Sequence, residues 1–256
     1  DYPDSPIFDR LDSDRRRIME SLANHDIPPE EEALTPENLL RRLVMKRCLY
    51  GVDVNPLAVE LSKLSLWLHA FTAGAPLSFL DHHIKCGNSL IGSSQEQLEN
   101  RVHKAPGLFR LDTAPLEDAA KHMLQVAELP DASFEDVQRS RKEYEKADGR
   151  VEAYRALLDS LTAEYFGVEH AGDFIDQGMD IDIDQFEDSV QRFPAEDQNR
   201  LDEARQIAGK ERFFHWDIEF PEVFFERNGE EIERHQDAGF DAIVGNPPYV
   251  RVRTLT

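Results

Sequence analysis

Residues 48–71 read CLYGVDVNPLAVELSKLSLWLHAF and place a short apolar run, an acid and a helix start directly after one another. The run at 48–53 is typical of a buried strand, and it ends in the acid Asp53. Asn55-Pro56 is the usual pairing of a helix cap with a first helical residue. Leucines then recur at helical spacing, at Leu57, Leu61, Leu64 and Leu68. We therefore predict a strand that leads directly into a helix.

A second short strand is predicted at 83–87, HIKCG, and it is followed by the polar Asn88. Upstream, Thr35 and Pro36 predict the cap and the start of another helix, which runs to about Arg47. The order strand, helix, strand is that of a βαβ unit, whose strands are parallel. The sequence therefore predicts an α/β fold with a parallel sheet.

The middle of the chain, residues 93–210, is dominated by charged residues and predicts helices. Apolar residues recur there every seven positions, at Val137, Tyr144, Val151, Leu158 and Tyr165. Such a seam forms between two helices of one chain or between two chains, and packing within one chain is the more common case. We expect a helical insertion between two parts of the sheet domain.

Aromatic residues become frequent after Glu211, and the apolar run FDAIVG at 240–245 predicts a buried strand. The residues Asn246-Pro247-Pro248-Tyr249 directly follow this predicted strand. Because the sheet resumes there, the sequence predicts four segments. They are a polar N-terminal segment at 1–34, the first part of an α/β core at 35–92, the helical insertion at 93–210 and the second part of the core at 211–256.

The composition limits the class of protein. With 40% hydrophobic residues the chain can bury a core, and no apolar run is long enough to cross a membrane. Cys48 and Cys86 form no CxxC or Cys/His pattern, so we predict no metal site and a reduced, cytoplasmic chain. The alternating acids of 180–184, DIDID, lack the glycine and the distal glutamate of an EF-hand.

The residues Asn246-Pro247-Pro248-Tyr249 fit a particular chemistry. The lone pair of a nucleobase amino group is delocalised into the ring, and it becomes nucleophilic when two oxygens accept its hydrogens. The Asn246 side chain and the Pro247 carbonyl can supply these oxygens, while the prolines hold the backbone rigid. Tyr249 offers a flat face on which an extruded base can stack. The alternative is a turn that merely ends the strand.

Polar residues at the ends of the first two strands suit a nucleoside. A carboxylate at Asp53 can accept both hydroxyls of a ribose, as acids do in nucleotide-binding α/β folds. Asn88 can bind an adenine ring through hydrogen bonds. We predict that the cofactor-binding residues are Asp53, Val54, Asn88, Ser89 and Asn246. The alternatives are an acid that caps the next helix and an ordinary Gly-Asn turn.

Three segments in this order resemble the gamma-type N6-adenine DNA methyltransferases, which include large type II restriction-methylation and phage-defence enzymes. LYGVDVNPLAVELSKLSLWL is similar to the second cofactor segment of that family, with Asp53 in the ribose position. HIKCGNSLIG is similar to the third, with Asn88 where many relatives carry Asp. FHWDIEFPEVF followed by GFDAIVGNPPYVR is similar to the approach to the catalytic NPPY loop.

The resemblance implies a partial Rossmann-like doubly wound parallel sheet, S-adenosylmethionine as methyl donor and a flipped adenine in double-stranded DNA as substrate. It also implies a glycine-rich cofactor loop before residue 1, and further catalytic strands and a target-recognition domain after Thr256. This central piece is therefore expected to be inactive alone. The full-length protein would belong to a restriction-modification or phage-defence system, with an endonuclease or specificity domain or subunit as partner and no membrane.

The net charge of −22 fits DNA binding poorly, because DNA-binding surfaces are basic. Three explanations are open: a DNA-binding surface elsewhere in the protein, a local basic patch, or the acidic surface of a protein from a high-salt cytoplasm. Arg251 and Arg253 follow the NPPY loop and could bind phosphates. Other interpretations are a methyltransferase that acts on RNA or on protein glutamine, and a non-catalytic scaffold remnant.

Overall fold

The computed structural model describes residues 5–26, 34–72, 75–105, 112–229, 231–234 and 238–246. The elements in chain order are α1 (Pro6–Asn24), α2 (Pro36–Arg47), β1 (Gly51–Asp53), α3 (Pro56–His69), β2 (Ile84–Cys86), α4 (Gln95–Lys104), α5 (Ala114–Glu128), α6 (Phe134–Ala163), α7 (Asp173–Asp176), α8 (Phe186–Val190), α9 (Ala195–Glu211), α10 (Trp216–Glu219), α11 (Pro221–Phe224), β3 (Phe225–Asn228) and β4 (Glu231–Arg234). A small parallel sheet therefore lies within a mainly helical chain.

The predicted βαβ unit is confirmed. β1 and β2 pair in parallel, with Asp53 opposite Cys86, and α3 connects them. The side chain of Asn55 caps α3, because its oxygen accepts a hydrogen bond from the backbone N–H two residues later at 3.0 Å. Each strand has three residues and is shorter than the predicted ranges 48–53 and 83–87.

α2 begins where the sequence predicts it, with the Thr35 hydroxyl accepting a hydrogen bond from the Asn38 N–H. Two cations of α2 contact the linker between α5 and α6. Lys46 Nζ lies 2.7 Å from Asp131 Oδ1, and Arg42 donates to the Asp131 carbonyl at 2.7 Å. Burial lowers the pKa of both cations. Asp131 thus joins the first part of the chain to the helices that follow.

α6, with 30 residues, is the centre of the helical part, and α5 and α9 pack along it. Of the predicted seven-residue seam, Val151 and Leu158 are buried, whereas Val137 and Tyr144 are half-buried. Tyr165 lies beyond the end of α6 and is 85% exposed. The predicted seam is therefore confirmed as a packing surface within one chain at its central positions, and its last position is exposed.

The prediction of a strand at 240–245 is wrong. The described stretch 238–246 contains no strand, and Ile243 and Val244 are 77% and 97% exposed. A buried strand needs a neighbouring strand for its backbone hydrogen bonds and a covering layer on each face. Among the described residues neither β1 nor β2 pairs with this stretch, so the side chains of Ile243 and Val244 remain in solvent.

Apolar periodicity does not predict the antiparallel hairpin of β3 and β4, in which Phe225 lies opposite Arg234. Its strands, FERN and EIER, are mostly charged and exposed. Asn228-Gly229 is a signal that was present, because Asn-Gly favours tight hairpin turns and Gly229 has a φ of +67°. The hairpin packs on α5.

The carboxylate of Glu219 joins three parts of the chain. It lies in the aromatic segment, which we define as residues 213–225, and its Oε2 is 2.8 Å from Lys85 Nζ on β2. Its Oε1 is 2.9 Å from Arg155 Nε on α6. Burial opposes the charged form, but the two cations lower the pKa of Glu219 to about 2. The sheet, the aromatic segment and the central helix thus meet at one buried anion.

Glu222 has the opposite environment, although it follows Glu219 by only three residues. Burial raises the pKa of Glu222 to about 7. His83 Nε2 lies 3.8 Å from Glu222 Oε1, and burial lowers the pKa of His83 to about 3. Between these values both groups are neutral, so the fold buries them without a net charge.

Replacement of Glu222 or Glu219 by glutamine should change the pH dependence of the free energy of unfolding in opposite ways. The pKa of Glu222 is raised by folding, so its burial destabilises the wild type as pH rises through about 7. We expect the stability of Glu222→Gln relative to wild type to increase by about 2–3 kcal/mol between pH 5 and pH 8, since one pKa unit is about 1.4 kcal/mol. Denaturant unfolding across this range measures the difference.

Glu219→Gln is the matched control, because the pKa of Glu219 is lowered by folding. This variant should be less stable than wild type at neutral pH, and the deficit should shrink as pH falls from 4.5 towards 2. A Glu222→Gln profile that runs parallel to wild type from pH 5 to pH 8 would contradict the assigned environment.

Candidate functional site

The carboxyl ends of β1 and β2 lie side by side. Asp53 and Cys86 end the two strands in register, and the Gly87 N–H donates to the Asp53 carbonyl at 3.0 Å. Ligands of open α/β sheets bind in the crevice outside such strand ends. The structure thus brings the predicted residues of both strands to one edge of the sheet. We call residues 53–54 and 86–89 the strand-end site.

Both predicted nucleoside-binding side chains form local turns. Asp53 Oδ1 accepts a hydrogen bond from the Asn55 N–H at 2.7 Å, and Asn88 Oδ1 accepts one from the Leu90 N–H at 3.2 Å. These are Asx turns, as the alternative interpretation expects. Each bond uses one oxygen, so the second carboxylate oxygen and the amide nitrogen remain for a ligand. Asp53 is exposed and Asn88 is half-buried.

The aromatic segment crosses the loop that follows β2. The Phe214 N–H donates to the Ile91 carbonyl at 2.7 Å, and Trp216 Nε1 donates to the Ser89 carbonyl at 3.1 Å. A Cβ atom on Gly87 would lie 2.3 Å from the Phe214 ring, so glycine is required beneath this ring. No periodicity in the sequence indicates this contact, which places aromatic residues beside the strand-end site.

His215 supports the same crossing from within the core. It is 1% exposed, and its Nδ1 accepts a hydrogen bond from the Ser93 N–H at 3.0 Å. Nδ1 also lies 3.1 Å from the Ser93 carbonyl oxygen, and Nε2 lies 3.0 Å from Asp159 Oδ1 on α6. The central helix therefore holds the aromatic segment against the loop.

Arg212 lies at the strand-end site although no sequence pattern singles it out. Its Nη1 donates to the Val54 carbonyl and is 3.4 Å from Cys86 Sγ. Its own carbonyl accepts a hydrogen bond from the Asn88 N–H at 2.7 Å. The only available signal is a cation between the end of α9 and the aromatic segment, and many helices end with a cation.

Asn246 belongs to the described part of the chain, and it is exposed at the end of the stretch 238–246. The other residues of the predicted catalytic loop and the two arginines after it lie outside the described residues: Pro247, Pro248, Tyr249, Arg251 and Arg253. Their roles stay predictions, as does the role of Asn246 itself.

Phe240 ties this stretch to the rest of the structure. The centroid of its ring lies 5.3 Å from that of Tyr50, which precedes β1, and 5.5 Å from that of Trp216. A third contact, to Phe220, has a centroid distance of 6.0 Å. All three are edge-to-face, a favoured geometry for aromatic pairs. Phe240 thus holds the start of the stretch that leads to Asn246 against Tyr50 and the aromatic segment.

The donor and acceptor groups at the strand-end site fit the sugar and ring of a nucleoside. They are the free carboxylate oxygen of Asp53, the amide of Asn88 and the guanidinium of Arg212. Within the described residues no group of His, Cys, Asp and Glu side chains could hold a metal ion. The free groups at the strand-end site can form hydrogen bonds with hydroxyls and ring nitrogens.

Comparison with known proteins identifies the family. Residues 47–256 match the Eco57I restriction-modification methylase family. The chain belongs to this family. A protein of Methanocaldococcus jannaschii, named as a type II restriction enzyme and methyltransferase, is 26% identical over 231 residues, which cover 78% of this chain and 18% of that protein. No solved structure matches the chain significantly.

The Eco57I family match includes both the strand-end site and Asn246. These residues therefore lie within the region that matches the family, and the chain spans about a fifth of the length of the curated relative. Within the described ranges, no helix has both the length and the apolar character needed to span a bilayer.

Removal of the Phe240 ring tests its anchoring contact. The chain has two tryptophans, so Trp216 is the single reporter in a Trp67→Phe background. Phe240→Ala in that background should shift the Trp216 emission to longer wavelength, because the ring at 5.5 Å no longer shields the indole from water. Phe71→Ala, at a ring that is 59% exposed, is the control and should leave the emission unchanged. Identical spectra for all three proteins would contradict the contact.

Proposed function

We propose that the protein is a site-specific DNA methyltransferase that transfers a methyl group from S-adenosylmethionine to the N6 atom of a flipped adenine. The proposal rests on the strand-end site, where Asp53 and Asn88 meet at one edge of a parallel sheet in a chain of the Eco57I family. In this proposal the complete sheet is doubly wound and Rossmann-like, and residues 93–210 are a helical insertion between its parts.

The proposed cofactor site uses the polar atoms of Asp53 and Asn88 that form no turn hydrogen bond. S-adenosylmethionine supplies an electrophilic methyl group on its sulfonium. Asp53 accepts the ribose hydroxyls with its second oxygen, and Asn88 binds the edge of the adenine ring with its amide. Val54 and Ser89 line the same ring, and Asn246 closes the site. Because the turns already orient both polar side chains, binding costs little of their conformational entropy.

The proposed catalytic loop acts on the target base. Asn246 and the Pro247 carbonyl accept the two amino hydrogens, which makes the nitrogen lone pair nucleophilic. Pro248 keeps the loop rigid, and Tyr249 stacks on the ring of the extruded base. Phe240 supports this loop by packing on the aromatic segment, since its ring is the packed anchor of a stretch that is mostly exposed.

The proposed substrate is double-stranded DNA, bound by the intact protein. With a net charge of −22, this chain contributes little general attraction for phosphates, so most phosphate contacts lie on other parts of the protein or in a local patch with Arg251 and Arg253. The relative named as both restriction enzyme and methyltransferase supports an endonuclease or specificity domain or subunit as partner.

Asn246→Ala in the full-length enzyme should lower the methylation rate by about a hundredfold or more, the usual effect of losing one preorganised transition-state contact. Cofactor affinity should hardly change, because the contact is with the base. Single-turnover methylation of a target duplex measures the rate. Tyr249→Ala should weaken capture of the base, whereas Tyr249→Phe keeps the stacking ring and is the control with nearly normal activity. A near wild-type rate for Asn246→Ala would overturn the proposed mechanism.

Asp53→Ala should weaken S-adenosylmethionine binding by about 1.5–3 kcal/mol, the usual loss for hydrogen bonds to a charged group. Asp53→Asn separates the two roles of the residue, because its amide oxygen can still accept the turn bond from Asn55 while the charge is lost. We expect both variants to bind the cofactor more weakly and only Asp53→Ala to lose stability. Calorimetry and thermal unfolding measure the two effects, and unchanged affinity in both variants removes Asp53 from the site.

A further inference from the structure

The backbone of Arg212 has an unusual conformation. It follows the last residue of α9 with a φ of +58° and a ψ of +56°, in the left-handed region. Glycine is the common residue at such a helix end, since any side chain makes this conformation unfavourable. The backbone conformation therefore disfavours arginine, and any compensating stabilisation comes from its side chain, as a cation at a helix C-terminus and through its contacts.

Those contacts are at the strand-end site. The guanidinium of Arg212 donates to the Val54 carbonyl and approaches Cys86 Sγ at 3.4 Å. In the described part of the chain, it forms no ion pair with a carboxylate, although the protein has 51 acidic residues. A guanidinium has five N–H donors, so most of them remain free for a ligand.

We propose that Arg212 is a cofactor-binding residue, whose guanidinium contacts the nucleoside part of bound S-adenosylmethionine. This inference rests on the proposed function. Ribose oxygens and adenine ring nitrogens are hydrogen-bond acceptors, and the carboxylate of Asp53 cannot donate to them. Arg212 adds donors to the Asn88 amide on the same edge, and its planar group can also lie against a ring. The Asn88 N–H bond to the Arg212 carbonyl holds the two residues in a fixed relation.

Arg212→Gly distinguishes a cofactor-binding role from a structural role, because the two roles predict different changes in the melting temperature. Glycine relieves the unfavourable backbone conformation, so the melting temperature should stay the same or rise. Affinity for S-adenosylmethionine should fall roughly 10- to 100-fold in the intact protein, the range expected for lost charge-assisted hydrogen bonds. Adenosine should lose affinity as well, since it carries the contacted part of the cofactor.

His170→Gly is the matched control. His170 has a φ of +65° and is exposed, so glycine should also relieve its backbone while leaving cofactor affinity unchanged. Arg212→Lys keeps the charge but loses the planar fork, and its affinity should lie between those of Arg212→Gly and wild type.

Three outcomes would overturn the inference. Unchanged affinity of Arg212→Gly, in a protein whose wild type binds S-adenosylmethionine, removes Arg212 from the site and leaves the proposed function intact. A clear fall in melting temperature together with the lost affinity assigns Arg212 a structural role instead. Failure of the wild type to bind the cofactor overturns the proposed function itself, and this inference with it.

Discussion

One buried anion determines how the sheet, the aromatic segment and the central helix fit together. Glu219 is charged because Lys85 and Arg155 approach it from two elements that are distant in sequence. Loss of one partner would leave an uncompensated charge in the interior, which costs several kcal/mol. The three side chains therefore fix one another, and α10 cannot slide along β2 or α6 without breaking an ion pair.

The strand-end site depends on this fixed position. The residues just before α10 cross the loop after β2, where Gly87 leaves room for the ring of Phe214. Just after α10, the chain buries Glu222 beside His83 as an uncharged pair. One short helix thus separates the strand-end site from the buried pair of Glu222 and His83, and the ion pairs of Glu219 keep both in place.

The features predicted from the sequence are those that local interactions determine. Asn55 caps α3 and the strand, helix, strand order brings Asp53 and Asn88 to one edge, as their spacing indicates. The strand at 240–245 was predicted wrongly because an apolar run shows that a segment can be buried but not which neighbour buries it. Arg212 could not be predicted, since its contacts depend on how α9 ends relative to a sheet that lies far away in the sequence.

The crossing over Gly87 also has a consequence for the order of folding. Trp216 and Ser89, which meet there, are separated by 127 positions, and the chain between them forms the helical block around α6. Closure of so long a loop by an unfolded chain is entropically unfavourable, whereas a folded block brings its two ends together at lower cost. During synthesis, β1 and β2 emerge first, with the face at Gly87 still uncovered. The strand-end site can be completed only after the aromatic segment has left the ribosome, because residues of that segment cover the loop after β2.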